Sequence, residues 1–63
     1  MTPPLLEEGL SADALYNRGV NKLQAGDYSG AIADFSCAIN LNPFFSDAFY
    51  QRALAHEGLG NYY

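Results

Sequence analysis

Residues 12–29, ADALYNRGVNKLQAGDYS, recur in the chain as residues 46–63, SDAFYQRALAHEGLGNYY. The two segments begin at positions 12 and 46, so the period is 34 residues. The identical pairs are Asp13/Asp47, Ala14/Ala48, Tyr16/Tyr50, Arg18/Arg52, Gly26/Gly60 and Tyr28/Tyr62. Because composition alone would give about one such match, the recurrence predicts one supersecondary unit that is used twice.

The spacing of apolar residues within this unit predicts helices. Between Leu15 and Leu23, and again between Tyr28 and Ile39, apolar side chains recur at steps of three and four residues. This period places them on one face of a helix, which can then be buried. The third segment repeats the pattern of the first. The sequence therefore predicts three helices over roughly 12–25, 28–41 and 47–59.

Capping residues stand at the predicted helix ends. Ser11 and Asp27 each precede a periodic segment, where a side-chain oxygen can accept a hydrogen bond from the first turn. Ser46 has the same place before the third segment. Gly26 can adopt the left-handed conformation that ends the first helix, and Pro43 ends the second.

These features together identify a family. The chain combines the period of 34 with a small residue in the first helix (Gly19 or Ala53), GDY at 26–28, and the spaced residues Ala31, Phe35, Ala38 and Pro43. In this combination, residues 12–63 resemble the tetratricopeptide repeat. The resemblance implies an all-α fold: an antiparallel helix-turn-helix repeat, here a three-helix fragment of a right-handed superhelical solenoid.

The resemblance also gives the matched residues structural roles. Gly19 and Ala31 are small because the two helices of a unit cross closely there. Phe35 fills the space between the helices, Ala38 lets the first helix of the next unit approach, and Pro43 sets the turn between units. Residues 1–10 are then a partly flexible N-terminal leader. Residues 11–63 are the domain, with repeat 1 at 12–45 and half of repeat 2 at 46–63.

Three features depart from the family pattern. Leu15 stands where the family often has an aromatic residue, which is Phe49 in the second unit. Arg18 and Arg52 stand where many members have leucine, and Lys22 and His56 stand where many have an aromatic residue. We expect the aliphatic stems of the two arginines to pack while their charged ends reach solvent.

Composition excludes several classes of function. Seven acidic and three basic residues give a formal charge of -4. Three cations are too few to neutralise the phosphates of nucleic acid, and the acidic balance disfavours an anionic membrane surface. No segment has the length and hydrophobicity of a signal peptide or membrane span, so direct membrane insertion is not expected. A single cysteine fits a reduced compartment, and the expected location is cytoplasmic.

Residues able to carry catalysis are scarce. Cys37 and His56 belong to different helices, and the sequence supplies no third group to orient a dyad between them. One cysteine and one histidine are too few for a zinc site within a single chain. GDYSG lacks the lysine of a phosphate loop. We expect no catalytic, metal or cofactor-binding residue and no cofactor, and we predict that the chain is not an enzyme.

The resemblance implies instead a non-catalytic scaffold that binds a peptide or helix of a partner protein. In that family, the first helices of successive units line a concave groove. The groove residues would be Asp13, Tyr16, Asn17, Val20, Leu23, Asp47, Tyr50, Gln51 and Leu54. Tyr16 and Tyr50 are the expected anchors, whereas Val20, Leu23 and Leu54 fit the core equally well. The recurring acids either favour the helix dipole or face a basic ligand.

The alternative function is a structural or assembly role. The chain stops where the second helix of repeat 2 would begin, so one side of the third helix lacks its neighbour. Either the natural protein continues past Tyr63, or another chain covers this side, as in a homo-oligomer, for which we expect a dimer. The self-association face would be Phe49, Ala53, His56, Leu59, Tyr62 and Tyr63.

Overall fold

Three helices follow from the apolar periodicity. The computed structural model describes residues 9–60. They form α1 (Ala12–Gln24), α2 (Tyr28–Leu41) and α3 (Ser46–Leu59). The predicted all-α, antiparallel helix-turn-helix fold is confirmed, and each predicted helix is present. Residues 1–8 of the predicted leader, and residues 61–63 at the other end, lie outside the described part of the chain.

The predicted caps of the first two helices are confirmed. The Ser11 hydroxyl accepts a hydrogen bond of 3.0 Å from the backbone N–H of Ala14. The Asp27 carboxylate accepts one of 3.1 Å from the backbone N–H of Gly30. Gly26 has a φ of +86°, the left-handed conformation that glycine adopts without steric cost. Short-range hydrogen bonding and backbone freedom thus determine where α1 ends and α2 begins.

The start of α3 differs from the prediction. Ser46 is already helical, and Phe45 occupies the cap position without a side-chain hydrogen bond, so the expected serine cap is wrong. The Phe45 ring stacks on Tyr16 with 5.0 Å between the ring centroids. It also packs against the buried cluster of Leu15, Ala38 and Ala48, which has one member on each helix. Because the packing of this ring positions the chain at the start of α3, the helix begins without a side-chain oxygen at its cap.

The core lies along α2, which packs against both α1 and α3. One buried cluster consists of Leu15, Ala38 and Ala48, and the other of Ala31, Phe35 and Ala55. Phe35 is the largest fully buried side chain among the described residues. Five of the six residues in these clusters lie on α2 and α3, and four of the six are alanine, so the helix backbones approach closely around one large ring.

Gly19 makes the crossing of α1 and α2 possible. A Cβ atom at this position would lie 2.6 Å from Cε1 of Phe35, well inside van der Waals contact. The expected role of Gly19 as a small residue at the helix crossing therefore has a specific cause, which is the position of the Phe35 ring. The same ring belongs to the second cluster together with Ala55 of α3, so this crossing positions α3 as well.

Candidate functional site

The two tyrosines predicted as groove anchors have different surroundings. Tyr16 is half-buried between Phe45 and Phe35, whose ring centroids lie 5.0 and 5.8 Å from its own. Tyr50, its counterpart in the second repeat, is 65% exposed. Tyr16 therefore holds the two core clusters together, whereas Tyr50 presents most of its ring to solvent.

The other predicted groove residues divide by burial. Val20 and Leu23 are half-buried and pack against the cluster around Phe35, so both contribute to the core. Gln51 and Leu54 are half-buried on α3, and Asp13, Asn17 and Asp47 are exposed. Along each helix these residues follow steps of three and four, which places them on one face. Each face has an acid near its start, a tyrosine next, and an aliphatic residue one turn later.

Both repeat-related acids lie in the first turn of a helix. Asp13 is exposed at the start of α1 and Asp47 at the start of α3. Within residues 9–60 neither carboxylate takes part in a salt bridge. A negative charge at this end of a helix is stabilised by the helix dipole, and its exposed carboxylate is accessible to a basic ligand.

One side of α3 carries large exposed side chains. Phe49 is 44% exposed and Leu59 47%. Ala53 is exposed and His56 half-buried. We call the residues Phe49, Arg52, Ala53 and His56 the α3 flank, since their spacing of three and four places them on one side of the helix. Tyr62 and Tyr63 of the predicted self-association face lie outside the described residues.

A buried carboxylate joins α1 to α2. Asp34 is 3% exposed, and its two oxygens accept hydrogen bonds of 2.8 Å from Nε and Nη2 of Arg18. The Lys22 ammonium lies 3.1 Å from the same carboxylate. The hydrogen bond from Arg18 holds the pKa of the Asp34 carboxyl below its usual value, against the opposing effect of burial, and Lys22 lowers the pKa further. This ion cluster fixes the register between the two helices.

Sequence reasoning missed this cluster, although its signal was present. Asp34 lies three residues after Ala31 and four before Ala38, which places a carboxylate on the buried face of α2. A buried carboxylate requires a cation, and Arg18 and Lys22 share a face of α1. The Arg18 side chain is 38% exposed, so it does reach solvent as expected, but its guanidinium also donates two parallel hydrogen bonds to Asp34, which was not predicted.

Arg52, the counterpart of Arg18, makes weaker contacts. Its Nη1 donates a hydrogen bond of 3.0 Å to the hydroxyl of Ser36 on α2. Its guanidinium carbon lies 5.5 Å from the centroid of the Phe49 ring, within the range of a cation–π interaction. Within residues 9–60 its guanidinium contacts no carboxylate. Among the described residues, Arg18 thus has a buried acid as its partner, whereas Arg52 has the neutral Ser36 hydroxyl and Phe49 ring.

Residues with catalytic or metal-binding potential are not assembled into a site. Cys37 is an exposed free thiol on α2, beside a hollow of about 200 Å³ that Leu15, Asn40 and Leu41 also line. His56 lies on α3, and no hydrogen bond joins the two within residues 9–60. In that same range, no three acidic, histidine or cysteine side chains are close enough to hold a metal ion. None of the three described helices has the length and hydrophobicity to cross a membrane.

Comparisons with known proteins agree with this architecture. Residues 12–45 match the tetratricopeptide repeat family. An uncharacterized protein of Methanocaldococcus jannaschii is 43% identical over 51 residues, which are 81% of this chain. The chain covers 59% of that relative's length, less than two thirds. No solved structure matches the chain significantly.

Proposed function

Since the chain belongs to the tetratricopeptide repeat family, whose repeats mediate protein–protein interaction, we propose that it is a non-catalytic scaffold for a partner protein. In this proposal the groove residues of α1 and α3 bind a peptide or a helix. The chain acts in the cytoplasm and needs no cofactor. The single observation that carries the proposal is the exposure of Tyr50 on a side of α3 that also presents Leu54 and Asp47.

The arrangement of apolar residues supports this binding mode. Tyr16, Val20 and Leu23 are half-buried against the core, so together they form the rigid base of the proposed groove. Tyr50 stands out from α3 as a large aromatic ring with a polar hydroxyl, the kind of side chain that often dominates binding energy. In the proposed groove, this rigid base and the exposed ring together capture one or two apolar side chains from a partner.

Charge adds a preference for basic partners. Asp13 and Asp47 are exposed, and the chain has a formal charge of -4. An approaching basic segment is therefore attracted from a distance, and this attraction weakens with added salt. The proposed ligand is a segment that combines an apolar anchor with lysine or arginine.

A peptide-display experiment tests the groove. A random peptide library is selected on immobilised wild-type protein, and the affinities of the enriched peptides are measured for wild type and for Tyr50→Ala. We expect apolar and basic residues to be enriched and Tyr50→Ala to lower affinity about tenfold or more. Asn40→Ala, an exposed position on α2, is the matched control and should bind as wild type does. Peptides that bind Tyr50→Ala as tightly as wild type would contradict the proposal.

A second candidate function is assembly through the α3 flank. It is favoured by the exposure of Phe49 and by the exposed Ala53 beside it. The chain would then pack permanently onto a copy of itself, as the expected homodimer, or onto a different protein. Light scattering at micromolar concentration tests this candidate. A dimer that Phe49→Glu converts to a monomer supports self-association, and a wild-type monomer rules it out at that concentration.

A further inference from the structure

The internal repeat relates the α3 flank to a surface that already holds a helix. At the period of 34, the α1 residues Leu15, Arg18, Gly19 and Lys22 correspond to Phe49, Arg52, Ala53 and His56. On α1, this side binds α2 through the ion cluster and the Phe35 ring. The α3 flank therefore repeats the polarity of a helix-binding surface, with a cation, a small residue and a second basic residue in the same order.

The α1 surface shows what such a flank binds. Arg18 and Lys22 hold the carboxylate of Asp34, and the following residue, Phe35, packs on Gly19. The ligand of this surface is a helix with an acid directly followed by an apolar side chain. Small residues of that helix, Ala31 and Ala38, bring its backbone close.

Arg52 on the α3 flank is placed to bind such an acid. It is half-buried, and within residues 9–60 its guanidinium has one hydrogen-bond partner, the Ser36 hydroxyl, and one cation–π partner, the Phe49 ring. A cation that is partly removed from water and lacks a carboxylate attracts one more strongly than a fully solvated cation does. Phe49 and Ala53 provide apolar surface next to it.

We propose that the α3 flank binds an amphipathic helix of another protein, with a carboxylate facing Arg52 and His56 and an apolar side chain against Phe49 and Ala53. This inference rests on the second candidate function, in which the α3 flank is a docking surface. It does not involve the groove residues. The occupant resembles α2 in its pattern of small, acidic and apolar residues.

Charge and packing argue against a second copy as the occupant. A two-fold pairing of α3 flanks centred on Ala53 brings the Arg52 side chains of both chains to the same region, where like charges repel. The α2 helix of a second copy has the required pattern, but it is already packed between its own α1 and α3. A second copy therefore cannot offer this helix to the flank while it keeps its own fold.

The probe is a peptide with the sequence of residues 27–42 that carries the substitution Cys37→Ser. It is labelled with a fluorophore and titrated with the 63-residue chain, and binding is followed by anisotropy. We expect saturable binding to wild type, and Arg52→Glu in the protein should weaken it about tenfold or more. A peptide with Asp34→Arg should recover affinity for the Arg52→Glu protein, because the charges are exchanged. Arg52→Gln, which keeps a donor for Ser36, gives a second variant in case Arg52→Glu changes the helicity.

Controls separate this site from the groove. Tyr50→Ala should leave binding of the probe unchanged. No saturable binding to wild type would overturn the inference. The inference would also be overturned if Tyr50→Ala lost binding of the probe while the Arg52 variants kept it. That result would assign the probe to the groove and leave the proposed function standing. A wild-type dimer that excludes the probe would assign the α3 flank to a second copy and also overturn it.

Discussion

The guanidinium of Arg18 donates two hydrogen bonds, each 2.8 Å long, to the carboxylate of Asp34. The two residues are sixteen positions apart and lie on different helices. Their geometry fixes both the distance and the register between α1 and α2, because a bidentate pair tolerates little sliding. Lys22 adds a second cation to the same carboxylate. The α2 helix is thus held to α1 by this ion cluster and by the packing of Phe35 on Gly19, and to α3 by the packing around Ala48 and Ala55.

Replacing Asp34 with asparagine should destabilise the fold. The variant keeps the shape but removes the buried negative charge that faces Arg18 and Lys22. We expect Asp34→Asn to lower the free energy of unfolding by about 1–3 kcal/mol, measured by urea denaturation with circular dichroism. Asp47→Asn, an exposed acid, is the control and should change it by about 0.5 kcal/mol. If both variants lowered the free energy of unfolding equally, the ion cluster would stabilise the fold no more than an exposed acid does.

Acid should weaken the wild type more than it weakens Asp34→Asn. The pKa of Asp34 is lowered from its usual 3.8, chiefly by its hydrogen bond to Arg18. A carboxyl with a depressed folded-state pKa contributes stability that is present above the unfolded value and is lost as pH falls through the folded one. The difference in unfolding free energy between the two proteins should therefore be constant above about pH 5 and shrink below about pH 4. Urea denaturation from pH 6 to pH 2.5 measures it, and a difference that stays constant to the lowest pH would contradict the assignment.

Gly19→Ala should destabilise the chain even though alanine favours helices. The new Cβ would lie 2.6 Å from Cε1 of Phe35, whose ring is fully buried and has little room to move. Overpacking costs about 1–3 kcal/mol, which outweighs a gain in helix propensity of about 1 kcal/mol when the ring cannot shift. Thermal denaturation should show a lower midpoint than wild type.

Two further variants assign that loss to the ring. Gly9→Ala, where a Cβ meets nothing within 4 Å, should leave the midpoint nearly unchanged. In a Phe35→Leu background the cost of Gly19→Ala should shrink, because the ring that clashes is absent. A cost that is equal in both backgrounds would assign the effect to the helix backbone instead.

The two repeat-related tyrosines should respond differently to alanine. Tyr16→Ala removes a ring that contacts Phe35 and Phe45, and we expect a loss of about 2–3 kcal/mol of unfolding free energy. Tyr50→Ala removes a ring that is 65% exposed and should cost less than about 1 kcal/mol. Urea denaturation of both variants makes the comparison. A larger loss for Tyr50→Ala would mean that its ring is buried in solution, for example by self-association.

Local signals explain how much of the fold could be predicted. The period of 34, the apolar stripes and the oxygen-bearing caps at Ser11 and Asp27 depend on interactions within four residues, which sequence spacing reveals directly. The prediction of Ser46 as a cap was wrong because a nonlocal contact, the stacking of Phe45 on Tyr16, determines where α3 begins. The groove residues were predicted as a set. Which of them pack against the core and which are exposed depends on how the helices pack together, and the sequence does not show this.

By itself, the sequence determined the number of helices, their order and approximate ends, the family, and which residue types recur at matching positions. All of these depend on periodicity along the chain. Only the tertiary structure decided that Asp34 is buried against Arg18, that Tyr16 supports the core while Tyr50 faces solvent, and that Arg52 lacks an acidic partner within residues 9–60. The physical reason is that burial and ion pairing depend on how helices cross in space. Residues that are identical in sequence acquire different neighbours because α1 and α3 pack against α2 through different faces.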